Sequence, residues 1–254
     1  RDREEALLSN LMGSLETRAV DIIAQRIEAL KDMIWCLDAE LAGNIKRIRD
    51  LLSEAPDTGP DGRITLFRQI NAVLNSIDRL EVRGRDSAGI SILFIMPDKA
   101  YQNLADALDR SGLGTEFRQR MNGDVLGNAS ISLNQSTDDE GKATVALTVV
   151  YKIAAEIGSL GDNIRFLRQQ LQQDRILQRI AAAPHALHTV SSHTRWASVG
   201  AITEPNCHPV DNTVAGATLK DRPIIHACLN GDIDNYRDLK DKLAAEGAIF
   251  TDYY

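Results

Sequence analysis

No run of apolar residues in this 254-residue sequence approaches the roughly 20 needed to span a bilayer, and no signal-peptide pattern is visible. A membrane is therefore not an expected partner. Cysteine is scarce: Cys36, Cys207 and Cys228 are the three present, and their spacing suits neither a zinc site nor a disulfide framework. The simplest reading is a reduced, cytoplasmic setting, with no metal and no cofactor. Cations are in deficit too, with 29 Lys and Arg against 36 Asp and Glu, for a formal net charge of −7. A surface that tracks phosphates needs an excess of positive charge, so nucleic acid is not expected either. Proline is missing from Arg3 to Glu54, which removes the strongest helix breaker from that stretch.

What fills that stretch is an apolar stripe: Ile23, Ile27, Leu30, Ile34, Leu37, Leu41, Ile45, Ile48 and Leu52 recur at steps of three and four. This is a helix-packing seam close to heptad spacing, and it reads as a core or coiled-coil face. "APDTGPDGR" (Ala55 to Arg63) ends it, and a second amphipathic helix follows from Ile64 to Glu81. The two are expected to fold back on each other as a helical hairpin that projects from the rest of the protein. A homo-oligomer through this hairpin is one possible use of the seam. With 43% hydrophobic residues, the chain can bury one large core or two small ones. Arg1 opens directly into a helical pattern and "FTDYY" stops as a strand is forming, so the sequence reads as a fragment truncated at both ends.

Further along, Gly89–Ile95 reads as a buried strand and Lys99–Met121 as one helix. Two strands, Ala129–Asn134 and Lys142–Ile153, flank the hairpin turn "QSTDDEGK". One long helix is expected from about Ala155 to Ala183, stopped by Pro184. A strand from Leu187 to Ser192, another at "RPIIHACL" and a helix at "NYRDLKDKLAAEG" complete an α+β pattern of antiparallel strand pairs covered by helices.

Three stretches stand out chemically. "RGRDSAG" (Arg83 to Gly89) is a glycine-bracketed turn between helix and strand. "HTRWASVGAITEPNCHP" (His193 to Pro209) reads as a loop leaving a strand, with polar groups at its tip. Taken alone, it is equally well a surface loop in which Arg and Trp stack. In "CLNGDIDNY" (Cys228 to Tyr236), Asn230-Gly231 is a strong turn dipeptide and by itself a plain turn. Its chemical reading is a side-chain amide and a backbone N–H at a sharp turn, two donors for an oxyanion.

Their order and spacing carry more than any one of them. "RLEVRGRDSAGI", "HTRWASVG", "NCHP" and "LNGDIDNYRDLKDKL" together resemble the class II glutamine amidotransferase family. The branch they look most like, the isomerizing glutamine–fructose-6-phosphate aminotransferases, reads R-G-Y-D-S-A-G, H-T-R-W-A-T-H-G, N-A-H-P and H-N-G-I-I-x-N in that order. The match covers roughly Leu80–Ile95 and Leu187–Phe250 and leaves the long helices outside. The resemblance implies a four-layer αββα N-terminal-nucleophile hydrolase-like sandwich. It carries a helical-hairpin insertion at residues 18–74 and a second insertion at 97–128.

The implied activity is hydrolysis of the glutamine side-chain amide, supplying ammonia to a downstream sugar-isomerase or synthase domain for amino-sugar phosphate synthesis. In that family the nucleophile is an amino-terminal cysteine. By position, Arg195 clamps the α-carboxylate of glutamine, and Trp196 and Ser198 lie in the loop that closes over it. Asn230 and Gly231 form the oxyanion hole, and Arg83 stands beside the nucleophile. The sequence departs from the pattern at Arg85, Ser198, Val199 and Leu229, and none of its three cysteines matches the nucleophile position; that residue is expected just upstream of Arg1. "LETRAVD" (Leu15 to Asp21) echoes "LEVRGRD", which an insertion into the first family helix explains better than duplication does. The alternative function is a non-catalytic glutaminase-like module that binds a partner or glutamine and uses the helices for assembly.

Overall fold

The computed structural model describes residues 2–11, 16–52, 62–84, 86–122, 129–138, 140–154, 159–197, 201–212, 225–248 and 250. The chain divides into two compact units, Arg1–Asp50 and Leu51–Tyr254.

In the first unit, α1 (Asp2–Leu11) and α2 (Thr17–Trp35) are followed by a π-helical stretch, Cys36–Ala42, and then α3 (Gly43–Leu51). The π stretch has a cause in the sequence. The apolar stripe alternates steps of four and three except between Leu37 and Ile45, where two steps of four follow each other. A π turn absorbs one additional residue, which keeps Leu37, Leu41 and Ile45 in line. Helix α1 packs against α2, where Ile27 is buried and Arg26 Nη2 meets Glu4 Oε1 at 2.8 Å. Beyond that contact Met33, Ile34, Trp35, Leu37, Leu41 and Ile45 are exposed.

The second unit is built on a four-stranded antiparallel sheet of β1 (Ser87–Pro97), β2 (Ala129–Thr137), β3 (Ala143–Ala154) and β4 (Leu187–Arg195), in the order β2-β3-β1-β4. Alternation decides which face is packed. Ile90, Ile92, Phe94 and Met96 of β1 stand opposite Tyr151, Val149, Leu147 and Val145 of β3, and none of the eight is more than 1% exposed. Burial of each such side chain stabilises the fold by about 1.5–3 kcal/mol. A contiguous helical layer covers them: α4 (Gly62–Leu80), α5 (Asp98–Arg110), α6 (Gly114–Asn122), α7 (Asp162–Gln173) and α8 (Arg175–Ala182). The expected α+β pattern of antiparallel strands under helices is what is found. A second, two-stranded sheet joins β5 (Val210–Asp211) to β6 (His226–Ala227), and α9 (Tyr236–Ala245) follows.

Several expected elements are corrected. Helix α4 does not project. Leu66, Phe67, Ile70 and Leu74 are fully buried, and Arg168 of α7 donates to Asn71 and Asn75 at 2.9 and 2.6 Å, so α4 is a core helix. The single helix expected over Lys99–Met121 is two, because Gly112 (φ +74°) ends α5. There the Gly112 N–H donates to Asp109 O and the Leu113 N–H to Leu108 O, with both leucines buried. That pairing closes a left-handed helix terminus and satisfies the last carbonyls. The long helix expected from Ala155 to Ala183 is likewise α7 and α8; residues 155–158 lie outside the described ones. The strand read as ending at Ser192 runs on to Arg195, so His193, Thr194 and Arg195 pair with Gly89, Ala88 and Ser87. Of "RPIIHACL", only His226–Ala227 is strand among the described residues.

The break between α7 and α8 falls at Asp174, which is extended (φ −77°, ψ 97°). Its Oδ1 caps α8, accepting from Ile176 and Leu177 at 2.8 and 3.1 Å. Its Oδ2 accepts from Tyr151 Oη at 2.5 Å and pairs with Arg120 Nη1 at 2.8 Å. Both ionic side chains are nearly buried, at 4% exposure for Arg120 and 7% for Asp174. Burial pushes the Tyr151 phenol well above its ordinary value, and the Asp174 carboxylate adds to this, so the phenol is the donor here. Asp174→Ala removes a helix cap and leaves the buried Arg120 guanidinium with only the exposed Glu116 carboxylate, at 3.9 Å, as counter-ion. It should cost about 3–5 kcal/mol in urea unfolding, whereas Tyr151→Phe should cost about 1–2 kcal/mol.

Candidate functional site

The end of β1 that carries Ser87 to Gly89 is where the distant motif segments meet. A 3₁₀ turn, Glu81–Arg83, delivers the chain from α4 into Gly84. Glu81 is 1% exposed, and its Oε2 accepts the backbone N–H of Gly161, whose φ is +88°. That contact pins the turn to the start of α7. A Cβ on Gly84 would lie 3.0 Å from the Thr194 carbonyl, so a side chain there would push against the end of β4 by a few tenths of an ångström. Asp86 then ties the two segments from both sides. Its N–H donates to Arg195 O at 3.2 Å, and its Oδ2 accepts from the Ala197 N–H at 2.6 Å.

Gly89 does the same for the segment after β4. A Cβ there would come within 2.2 Å of His208 O, a hard clash with backbone. His208 therefore lies on bare β1 backbone, while Cys207 and the Glu204–Asn206 turn lie against β3. Cys207 anchors this segment, fully buried, with its Sγ 3.3 Å from both Ile153 O and Thr203 O. Burial pushes this thiol up, which makes it a packing residue and a poor nucleophile. The next residue, His208, stacks on His193 with ring centroids 4.7 Å apart and planes inclined 34°. Its Nδ1 accepts the Leu229 N–H at 3.2 Å, which fixes the turn that holds Asn230 and Gly231. The β5–β6 ladder and the Ile225 N–H bond to Asn212 Oδ1 (2.8 Å) hold the same two segments together further on.

The residues singled out from the sequence fall as follows. Arg195 is half-buried at the end of β4, with Nη1 3.3 Å from Ala201 O; Asn206 Nδ2 reaches the same carbonyl at 3.1 Å. Trp196 is 70% exposed. Asn230 and Gly231 are exposed, and Gly231 has φ +143° with nothing near its missing Cβ. Conformation, not space, demands a glycine there. Arg83 closes the 3₁₀ turn. Its side chain, and the whole of Ser198, lie outside the described residues. Arg195 and Asn230 are linked through His193, His208 and Leu229. Glu81, Asp86, His193 and His208 organise the site and were missed as site residues, although all four stand inside the quoted motifs.

The site is basic on its buried side. Lys152 of β3 is lowered by burial, partly offset by Asp211 and other acidic neighbours. His193 is lowered by burial and by Arg195. His208 falls to about 4, through burial first and then the charges of His193, Arg195 and Lys152. Among the described residues no group of three or more His, Cys, Asp or Glu could hold a metal ion, and no helix is long and apolar enough to cross a membrane.

Comparison with curated proteins relates the chain to one class of enzyme, the aminotransferases. The relatives are isomerizing glutamine–fructose-6-phosphate aminotransferases. That of Rhizobium meliloti is 36% identical over 113 residues, which is 44% of this chain and 15% of the relative. That of Acinetobacter baylyi is 35% identical over 92 residues, 33% of this chain and 13% of the relative. That of Thermosynechococcus vestitus is 29% identical over 118 residues, 44% of this chain and 18% of the relative. The chain thus matches less than a fifth of the length of these relatives. No protein-family model matches it, and no solved structure matches it significantly.

The His208 bond requires an unprotonated Nδ1. An unfolded histidine takes up its proton near pH 6.5, and folded His208 only near 4. Between these values the unfolded state holds more protons, so His208 should make stability fall as pH drops from about 6.5 to 4. Urea unfolding across this range should show that loss, and His208→Gln should flatten the slope. Gly89→Ala should destabilise at every pH by about 1–3 kcal/mol, because it overpacks the same contact.

Proposed function

We propose that this chain is the glutaminase domain of a class II glutamine amidotransferase, on a four-layer N-terminal-nucleophile hydrolase-like fold, with helical segments inserted at 18–74 and 97–128. It hydrolyses the side-chain amide of glutamine and passes ammonia to a sugar-isomerase domain for amino-sugar phosphate synthesis. One observation supports this above the others: three stretches far apart in sequence, Arg83–Gly89, His193–Pro209 and Cys228–Tyr236, converge near the β1 end through Gly84, Asp86, Gly89 and His208. The partial similarity to glutamine–fructose-6-phosphate aminotransferases supports it independently.

On this reading Arg195 receives the α-carboxylate of glutamine, since its planar fork matches a carboxylate in two parallel hydrogen bonds. Trp196, exposed after the strand, closes over the bound substrate together with Ser198. The nucleophile in that family is an amino-terminal cysteine, and Arg83 matches the position beside it. The cysteine thiolate attacks the amide carbonyl, and the oxygen takes up negative charge. The Asn230 amide and the Gly231 N–H donate to that oxyanion; the α-amino group of the nucleophile, having taken the thiol proton, passes it to the leaving nitrogen, and ammonia departs as the tetrahedral state collapses to a thioester. Water then releases glutamate. A module that binds glutamine without hydrolysing it is the competing outcome of the same experiment.

The experiment is steady-state glutaminase kinetics on the full-length protein with its native amino terminus. Asn230→Ala should lower kcat by about 10²–10³ with a smaller change in KM, since the donor acts mostly in the tetrahedral state. Arg195→Lys should chiefly raise KM for glutamine, because Lys lacks the fork. Glutamine binding with no ammonia release by the unsubstituted protein would decide for the binding module. Normal turnover in a well-folded Asn230→Ala variant would leave position 230 a plain turn.

A further inference from the structure

We propose that two copies of this chain pair antiparallel through the seam of the first unit, the acidic stretch of one copy lying along the basic stretch of the other. Helix α1 covers the stripe around Ile27, but Ile34, Leu37, Leu41 and Ile45 are 42–60% exposed in an unbroken line. An apolar row of this length in water marks an interaction surface. The charges beside it say what lies there. From Asp32 to Glu40 there are three acids (Asp32, Asp38, Glu40) and no base; from Lys46 to Arg49 there are three bases (Lys46, Arg47, Arg49) and no acid.

A parallel pair would set each stretch against its own copy, like charge on like. An antiparallel pair sets each against its opposite, and the contacts then occur twice about a two-fold axis. The register follows from the charges. Placing Glu40 opposite Lys46 puts Asp38 between Arg47 and Arg49, and the same register lays Leu41 on Ile45 and Leu37 beside Ile48. Charge and apolar pattern, two independent features of the sequence, select one alignment. The π stretch at Cys36–Ala42 is what lines up Leu37, Leu41 and Ile45 for it. In this register residues 37–49 of the two copies overlap, for about 20 Å of helix. The charges also explain why a second copy fits better than a uniformly apolar or uniformly charged partner.

Sedimentation equilibrium of the full chain tests this, with helicity followed by circular dichroism. The unsubstituted chain should have the mass of two copies, and Leu41→Asp should leave one. The pairs Asp38→Lys/Glu40→Lys and Lys46→Glu/Arg47→Glu should each raise the dissociation constant at least ~10-fold. An equimolar mixture of the two should form a heterodimer, and all four changes in one chain should restore the homodimer, an outcome that only antiparallel pairing gives. High salt should weaken the unsubstituted dimer. A single-chain mass at about 100 µM protein, or a dimer indifferent to both charge reversals, would overturn the proposal.

Discussion

The candidate site depends on bare backbone at Gly89. With no side chain there, His208 can lie directly on β1, and its carbonyl oxygen occupies the space a methyl group would need. From that contact follow the burial of Cys207, the stacking of His208 on His193 and the bond that holds Leu229. Gly84 repeats the device one turn earlier, against Thr194. Two glycines in one short motif therefore fix two different neighbours, and Asp86 between them locks the strand end that carries Arg195. The motif is spaced by the geometry of close backbone approach.

Charge is handled differently on the two faces of the sheet. On the helix-covered face, Arg120, Asp174 and Tyr151 form a closed arrangement that joins α6, β3 and the α7–α8 junction. On the other face, Lys152 and Arg195 raise the local positive potential, and burial holds His193 and His208 neutral. A positive, partly desolvated surface at a strand end suits an anionic substrate group, and it is on this side that the motif segments gather.

The sheet was legible because its strands are long and apolar: "KATVALTVVYKI" was read within one residue of its limits, and "GISILFI" is the centre of a strand that runs two residues further at each end. The helix breaks were not. Gly112 and Asp174 act through a left-handed φ and a side-chain cap, and neither interrupts the 3.6-residue apolar period on which the helices were recognised. The extension of β4 through Arg195 was hidden because His193, Thr194 and Arg195 are polar, and what makes them strand is pairing with β1. The burial of α4 was hidden for a related reason, since an apolar stripe does not say whether it faces a partner helix or a sheet. Of the site, the motif residues were legible and their supports were not: Glu81 and His208 act across 80 and 21 residues of chain, distances over which a local pattern carries no signal.

The turn at Gly231 has a stereochemical consequence. Its φ of +143° is the mirror image of an ordinary extended value, and open space surrounds the position. Any encoded side chain would be strained there by handedness alone, however small it is. A D-amino acid introduced by chemical ligation would take up this backbone geometry without that strain and would project into solvent. The position thus distinguishes chirality from bulk: D-alanine should leave the turn intact where L-alanine distorts it.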